Sequence, residues 1–143
     1  MIAIKNLQRV QKINPNRIRR ITKSILTYLN LGGKDVSLVF CDNKVIREIN
    51  KTYLKRNRPT DVIAFHLSDE FTPEFLGEVF ISVEEAIHNS EIFGTSPDTE
   101  VVLYIIHGIL HLIGYKDKLR NEKIKMEKKQ NEILRYLRNK KAL

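Results

Sequence analysis

The stretch SPDTEVVLYIIHGILHLIG, residues 96–114, constrains the fold more than any other part of the chain. Its residues are apolar on almost every side of a helix, and Gly114 follows as a stop signal. A helix of this kind is stable in water only where other elements cover all of it. We therefore expect it to be the central helix of the protein.

The segments on either side predict helices mixed with strands. Helical spacing of apolar residues indicates helices in 13–33, 43–54, 83–94 and 119–141, and strand patterns occur in 35–42, 61–67 and 76–82. We expect an α+β fold, a small mixed four-stranded sheet packed by about five helices. The pattern itself identifies three of those strands.

Several single residues predict where these helices begin, end and pack. Gly32 and Gly33 should end the first helix, Asn43 should cap the second, and Ser82 and Gly94 should bound the third. The apolar residues of the third helix are Val83, Ala86, Ile87 and Phe93. The buried stripe of the last helix should be formed by Leu119, Met126, Ile133 and Leu137.

Length and composition predict one domain that spans residues 1–143. The single cysteine, Cys41, cannot form an internal disulfide, which favours a reducing compartment. The first residues lack a signal-peptide pattern, and no apolar run approaches the roughly 18 residues of a membrane span. We expect a soluble, cytoplasmic monomer that does not contact membranes.

The charge of the chain is unusually positive, with Lys and Arg exceeding Asp and Glu by eight. Residues 116–143 contain eleven Lys or Arg against four Asp or Glu. Such an excess favours a polyanionic partner, with phosphate groups as the leading candidate. Lysine-rich helices are also common as solvated surfaces, and no RNA-binding consensus accompanies this one, so charge alone leaves both interpretations open.

Two of the four histidines, His107 and His111, lie four residues apart in the central helix. That spacing places both imidazoles on one face, where both can reach one ion at the about 2.0–2.1 Å of a Zn–N bond. Gly114 lets the chain turn, so that Asp117 can return towards the ion. The alternative is two hydrogen-bonded core histidines, but each would need partners for both ring nitrogens.

The three residues would leave a fourth position for water, as in a catalytic zincin-like site. The zincin proteases place a glutamate directly after the first histidine, and this chain has Gly108 there. Proteolysis is therefore disfavoured, and hydrolysis of phosphodiesters fits the basic composition better. We interpret the remaining histidines, His66 and His88, as structural.

Three motifs resemble the YbeY family of bacterial metal-dependent endoribonucleases that mature ribosomal RNA. HGILHLIGYKDK resembles the family signature HGxLHLxGYDH, INKTYLKRNRPTDVIAFHL is similar to LNxxYRxxDxPTDVLSFP, and LGEVFIS is similar to LGDIxIS. Together the motifs cover roughly residues 49–126, in the same order and spacing as in the family. The resemblance implies a small mixed sheet packed by helices, with the metal-binding helix forming one wall of a cleft.

The resemblance also assigns roles to residues. The family's zinc ligands fall on His107, His111 and Asp117, which implies one Zn²⁺ per chain, although Ni²⁺ or Co²⁺ would suit the same donors. Asp117 stands where the family normally has histidine, and Leu54 stands where it has a functional arginine. Two further departures are His66 in place of proline and Asn57 in place of aspartate.

The loop after Leu54 contains the basic residues that would replace the missing arginine. We expect Arg56 and Arg58 to be catalytic, and Lys55, Arg56 and Thr60 to bind the substrate. Thr60 and Asp61 have an alternative role as the turn that begins a strand.

The implied function is a metal-dependent, single-strand-specific endoribonuclease that matures the 3′ end of small-subunit ribosomal RNA and acts in ribosome quality control. Its implied partners are ribosomal RNA, the small ribosomal subunit and the assembly factors of that subunit. Because of Leu54, an alternative remains open. In that alternative, the protein is a weakly active or inactive ribosome assembly factor whose metal is structural.

Overall fold

The computed structural model describes residues 1–143 and contains four strands and five helices. In chain order the elements are β1 (Ile2–Asn6), α1 (Pro15–Tyr28), β2 (Asp35–Cys41), α2 (Asn43–Leu54), β3 (Val62–His66), β4 (Phe75–Ser82), α3 (Val83–Phe93), α4 (Pro97–Leu112) and α5 (Arg120–Asn139). This arrangement confirms the expected α+β class and its mixed four-stranded sheet. No helix combines the length and apolarity that crossing a bilayer requires.

The strands are ordered β1-β2-β4-β3 across the sheet. β1, β2 and β4 run parallel, and β3 pairs antiparallel with β4. In that last pair Val62 lies opposite Ile81 and His66 lies opposite Gly77. The two ends of β3 therefore lie at opposite ends of the sheet, which matters for the position of the functional residues.

The sequence analysis did not assign β1. This edge strand has five residues, of which only Ile2 and Ile4 are partly buried. Two apolar residues are too few to show a strand period. β1 is specified by its parallel pairing with β2, in which Ile2 lies opposite Val36 and Ile4 lies opposite Leu38.

Helix α4 is the central helix, as predicted. Ten of its sixteen residues are buried, and it contacts α1, α3 and α5 as well as β3 and β4. It approaches the sheet closely at Gly108, where an added Cβ would lie 2.4 Å from Val79 Cγ1. Glycine at this position therefore lets α4 pack directly on the middle of β4.

Helix α2 covers part of the opposite face of the sheet. Its Ile46 is fully buried against Cys41 of β2 and Ile63 of β3. The other helices share the large core on the α4 side of the sheet. The sheet thus has helices on both faces, with α4 on the more extensively covered one.

The structure corrects three local predictions. Helix α1 ends at Tyr28, before the glycines, because Asn30 adopts a left-handed backbone with φ 60° and turns the chain. Asp42, and not Asn43, caps α2 by accepting a hydrogen bond from the Val45 amide. The third correction concerns burial.

Leu119 is 61% exposed because it precedes the first turn of α5, whereas Met126, Ile133 and Leu137 are buried as predicted. Phe93 is 68% exposed because it lies at the end of α3, beyond the part that packs on the core. Both ends of α3 agree with the prediction. Ser82 accepts a hydrogen bond from the Glu85 amide, and Gly94 ends the helix with φ 67°.

Candidate metal centre

The predicted ligands come from the last turns of α4 and the loop that follows. His107 and His111 are one helical turn apart, and their ring centroids are 4.6 Å apart. The chain reverses at Gly114, whose φ of 102° is in the region that favours glycine. This reversal brings Asp117 back to the two imidazoles.

The three side chains converge on one point. The two Nε2 atoms are 3.0 Å apart, and Asp117 Oδ2 lies 3.4 Å from His107 Nε2 and 3.3 Å from His111 Nε2. Donor atoms bound tetrahedrally to one ion at about 2.0–2.1 Å lie about 3.3–3.4 Å from each other. The observed triangle therefore fits a tetrahedral divalent cation with little adjustment.

The other nitrogen of each imidazole, Nδ1, has a hydrogen-bond acceptor that selects the tautomer with the proton on Nδ1. His111 Nδ1 donates to the Tyr115 carbonyl oxygen at 3.0 Å, and His107 Nδ1 donates to Gln130 Oε1 at 3.2 Å. With the proton on Nδ1, each Nε2 directs a lone pair at the other and at the Asp117 carboxylate. A single proton could bridge only two of the three atoms, which are the two Nε2 nitrogens and Asp117 Oδ2. A divalent cation can bind all three at once.

The site is open on one side. The two histidine side chains are 29% exposed and that of Asp117 is 41% exposed. A small cleft of about 150 Å³ lies between His107, Asp117 and α5. A larger cleft of about 560 Å³ lies on the His111 side. Three protein ligands with an open fourth side is the arrangement of a catalytic metal site.

Gly108 shows why the protease glutamate is absent. Its Cα faces Val79 of β4, so a side chain here would enter the sheet rather than the open side of the metal centre. This position cannot supply the general base of a metalloprotease.

A nearby phenol also lacks the properties of a base. Tyr104 lies three residues before His107 on α4, and its hydroxyl accepts a hydrogen bond from Asn89 Nδ2. Burial is the main cause that raises the pKa of Tyr104. The phenol therefore stays protonated at neutral pH.

The predicted basic loop is an exposed connection between α2 and β3. The side chains of Lys55, Arg56 and Arg58 are exposed, and the buried Asn50 holds the loop through its hydrogen bonds with the backbone of Arg56 and Arg58. The loop precedes the Val62 end of β3. No hydrogen bond or ion pair joins it to the three candidate ligands.

The last turn of α4 lies at the other end of β3. Leu112 packs against Gly77, which is paired with His66. The structure therefore leaves the catalytic and substrate-binding roles of the loop as predictions.

Thr60 and Asp61 form the turn that begins β3. Thr60 Oγ1 donates to Asp61 Oδ1 at 3.3 Å, and the Val62 amide donates to the same oxygen at 2.8 Å. The Asp61 carbonyl accepts from the Ser82 amide at 2.9 Å. These bonds support the structural alternative for the pair, and a substrate contact by Thr60 remains a prediction.

Sequence reasoning missed three residues around the site. Gln130 holds His107, and its position is set by the packing of α5 on α4, so no local pattern identifies it. Lys34 and His66 line the larger cleft together with His111. His66, which we interpreted as structural, is thus an exposed side chain beside the candidate metal centre.

Comparisons with known proteins agree with this picture. The sequence profile of a family described as endoribonuclease YbeY matches residues 3–138. A protein named endoribonuclease YbeY from Syntrophus aciditrophicus is 41% identical over 138 residues, which cover 92% of this chain and 86% of that protein. A protein of the same name from Carboxydothermus hydrogenoformans is 34% identical, over 96% of this chain and 97% of its own length.

A solved structure supports the fold independently. The solution structure of TM1509 from Thermotoga maritima matches with a TM-score of 0.64 and 24% identity. The match covers 99% of this chain and 95% of the Thermotoga protein. The likeness concerns the arrangement of helices and strands.

Proposed function

Because this chain belongs to the endoribonuclease YbeY family, we propose that it is a metal-dependent endoribonuclease that cleaves single-stranded RNA. Relatives named as endoribonucleases align over most of their own length, which supports hydrolysis of RNA phosphodiester bonds. The proposed cofactor is one Zn²⁺ ion per chain, held by His107, His111 and Asp117.

One observation carries the metal dependence. Two imidazole nitrogens and a carboxylate oxygen meet within 3.4 Å, and with both Nδ1 atoms already bonded, one added proton could bridge only a single pair of these three atoms. Three acceptors held this close repel each other unless a cation lies among them. Two nitrogens and one oxygen suit zinc, and nickel and cobalt are the alternatives that elemental analysis would distinguish.

When bound, such a cation lowers the pKa of coordinated water and polarises a phosphoryl oxygen. The protein positions the ligands that make this chemistry available. Tyr115 and Gln130 hold the imidazoles in the tautomer that exposes Nε2, and the open side admits an extended RNA strand.

The basic loop after α2 is the proposed source of substrate contacts. We assign catalytic roles to Arg56 and Arg58, and RNA binding to Lys55, Arg56 and Thr60. None of the three cations forms an ion pair, so their charges are free to bind phosphate. Leu54, which is 47% exposed, occupies the position of the family arginine, and a cation of this loop would replace it.

The proposed biological substrate is the 3′ region of small-subunit ribosomal RNA. The protein would act there in the cytoplasm as a monomer, with the small subunit and its assembly factors, in maturation and quality control. The net charge of +8 supports a partner rich in phosphate.

The proposal is tested by replacing one ligand. His111→Ala should lose bound zinc, measured by elemental analysis, and should lose cleavage of a single-stranded ribosomal RNA fragment. His88→Ala is the matched control, because His88 is an exposed histidine on α3 that takes no part in the site. Cleavage that persists in His111→Ala, or in wild-type protein stripped of metal, would contradict the proposal.

The substitution at Leu54 favours one alternative function, a ribosome assembly factor whose metal is structural. The two functions differ in what His107→Ala does in cells that lack the wild-type gene. If this variant restores ribosome maturation while its purified form lacks nuclease activity, the assembly factor is the correct function. If the variant does not restore ribosome maturation and its purified form lacks nuclease activity, the endoribonuclease proposal stands.

A further inference from the structure

The positive charge of the chain is concentrated at its two ends, and at the beginning no acidic residue offsets it. Residues 1–34 contain eight Lys or Arg and no Asp or Glu, whereas the eleven Lys or Arg of residues 116–143 are accompanied by four Asp or Glu. The lysines of α5 are interspersed with Glu122, Glu127 and Glu132. α1 has no carboxylate of its own.

Four of these cations surround one pocket. Arg19, Arg20 and Lys23 of α1 and Lys34 of the following loop line a cavity of about 350 Å³. Arg20 and Lys23 form no side-chain hydrogen bond or ion pair, and Arg19 bonds only to the Ile2 carbonyl and the Asn16 amide oxygen. These bonds are 3.4 and 3.5 Å long. Four cations with so few carboxylates nearby attract an anion with several charges.

Lys34 connects this pocket to the metal centre. It also lines the cleft of about 560 Å³ that contains His66, His111 and Gly114. Its Nζ lies 3.5 Å from the carboxylate of Glu74, which is 62% exposed. An exposed ion pair of this kind is weak, so phosphate can replace the carboxylate at little cost.

The two cavities share Lys34, and both are basic and open to solvent. A strand with one phosphate per nucleotide suits this pair of cavities, because Lys34 lies in the cavity of His111 and also in the cavity of the three α1 cations. A single small anion would occupy only one end.

We propose that the RNA strand runs from the metal centre along the cleft lined by His66 and Lys34. Beyond the cleft, it is held by Arg19, Arg20 and Lys23, which form a second phosphate-binding site. This inference rests on the proposed function, since it assigns part of the RNA path. It predicts that α1, which contributes nothing to the chemistry, sets affinity for longer substrates.

The test compares two double variants with the same change in charge. Arg20→Glu with Lys23→Glu reverses two cations of the α1 pocket that have no contacts to lose. Lys44→Glu with Arg47→Glu reverses an exposed Lys and Arg at the same spacing on α2, away from both cavities. Circular dichroism and thermal unfolding establish that each variant folds, and Arg20→Gln with Lys23→Gln repeats the test without added acids.

Binding of a fluorescent single-stranded RNA of about 16 nucleotides is measured by anisotropy across a range of salt concentrations. Loss of two phosphate contacts should make the dependence of log K on log salt less steep by about 1.4, equal to about 25-fold weaker binding at 0.1 M salt. The loss should be smaller for an RNA of about 4 nucleotides, which is too short to extend from the metal centre to α1.

The outcomes separate the two proposals. Weaker binding by the α1 variant alone, with a loss that grows with RNA length, supports the assigned path. Equal losses in both variants, or none in either, overturn it and leave the endoribonuclease proposal intact if wild-type protein cleaves RNA. If wild-type protein neither binds nor cleaves single-stranded RNA, both proposals are wrong.

Discussion

The contact between Gly108 and Val79 gives the sharpest test of how the metal-site helix is held. A Cβ at residue 108 would lie 2.4 Å from Val79 Cγ1, 3.1 Å from Cγ2 and 3.3 Å from Cβ. Ordinary contacts begin at 3.4 Å, so α4 would have to move about 1 Å from the sheet. Rotating Val79 gives little relief, because it is fully buried and its two methyl groups would then meet other atoms of the core.

Gly108→Ala should therefore destabilise the protein although alanine is the better helix former. Overpacking costs about 3 kcal/mol at the upper end of its usual range, and helix propensity returns about 1 kcal/mol. The net loss of about 2 kcal/mol corresponds to a fall of about 7 °C in Tm for a chain of this length. Urea unfolding with a chelator present measures the loss without a contribution from metal binding.

Val79→Ala supplies the compensating change, because it removes both methyl groups that the new Cβ meets. Alone, Val79→Ala should lower the free energy of unfolding by about 2 kcal/mol. The loss measured for the double variant should be about 2 kcal/mol smaller than the sum of the losses of the two single variants. Gly33→Ala is the control, since nothing lies within 4 Å of its added Cβ. Additive losses, or a Gly108→Ala variant more stable than wild type, would refute this reasoning.

Three further predictions concern the site and the core. Zinc at about 100 times its Kd should raise Tm by about 9 °C in wild type and not in His107→Ala, and an equal rise in both would exclude the proposed ligands. Gln130→Leu should weaken zinc binding about 10- to 100-fold, measured by competition with a chromophoric chelator. Gln130→Glu, which keeps a hydrogen-bond acceptor, and Asn131→Ala should leave zinc affinity unchanged. Unchanged affinity in Gln130→Leu would contradict the role of the hydrogen bond to His107. Burial raises the pKa of Cys41 from 9.0 to about 12, so the folded state holds this proton more tightly and stability should fall between about pH 9 and pH 12. Cys41→Ala should flatten that fall, and an identical pH profile for the two proteins would count against the buried thiol as its source.

The sequence predicted the local part of the candidate site well. His107 and His111 lie on one face because four residues make about one helical turn, and Gly114 allows the reversal that returns Asp117. Each of these relations spans a few residues, so the spacing in the sequence carries it. The family resemblance, confirmed by the comparisons, added the expected chemistry.

The contacts between residues far apart in the chain could not be predicted from the sequence in the same way. Gln130 faces His107 only because α5 packs on α4, and nothing in the pattern of α5 distinguishes this glutamine from other polar residues. The basic loop shows the opposite case. Its basic composition identified it as a candidate for phosphate binding, but only the structure shows that it precedes the Val62 end of β3, whereas α4 ends beside His66.

By itself, the sequence determined the central buried helix, the pair of imidazoles on one of its faces and the turn after it, because periodicity and glycine conformation are properties of neighbouring residues. Only the tertiary structure decided that β1 completes the sheet and that Lys34 joins an α1 pocket to the metal cleft. Those contacts join residues far apart in the chain, and packing of the whole core fixes which of them meet.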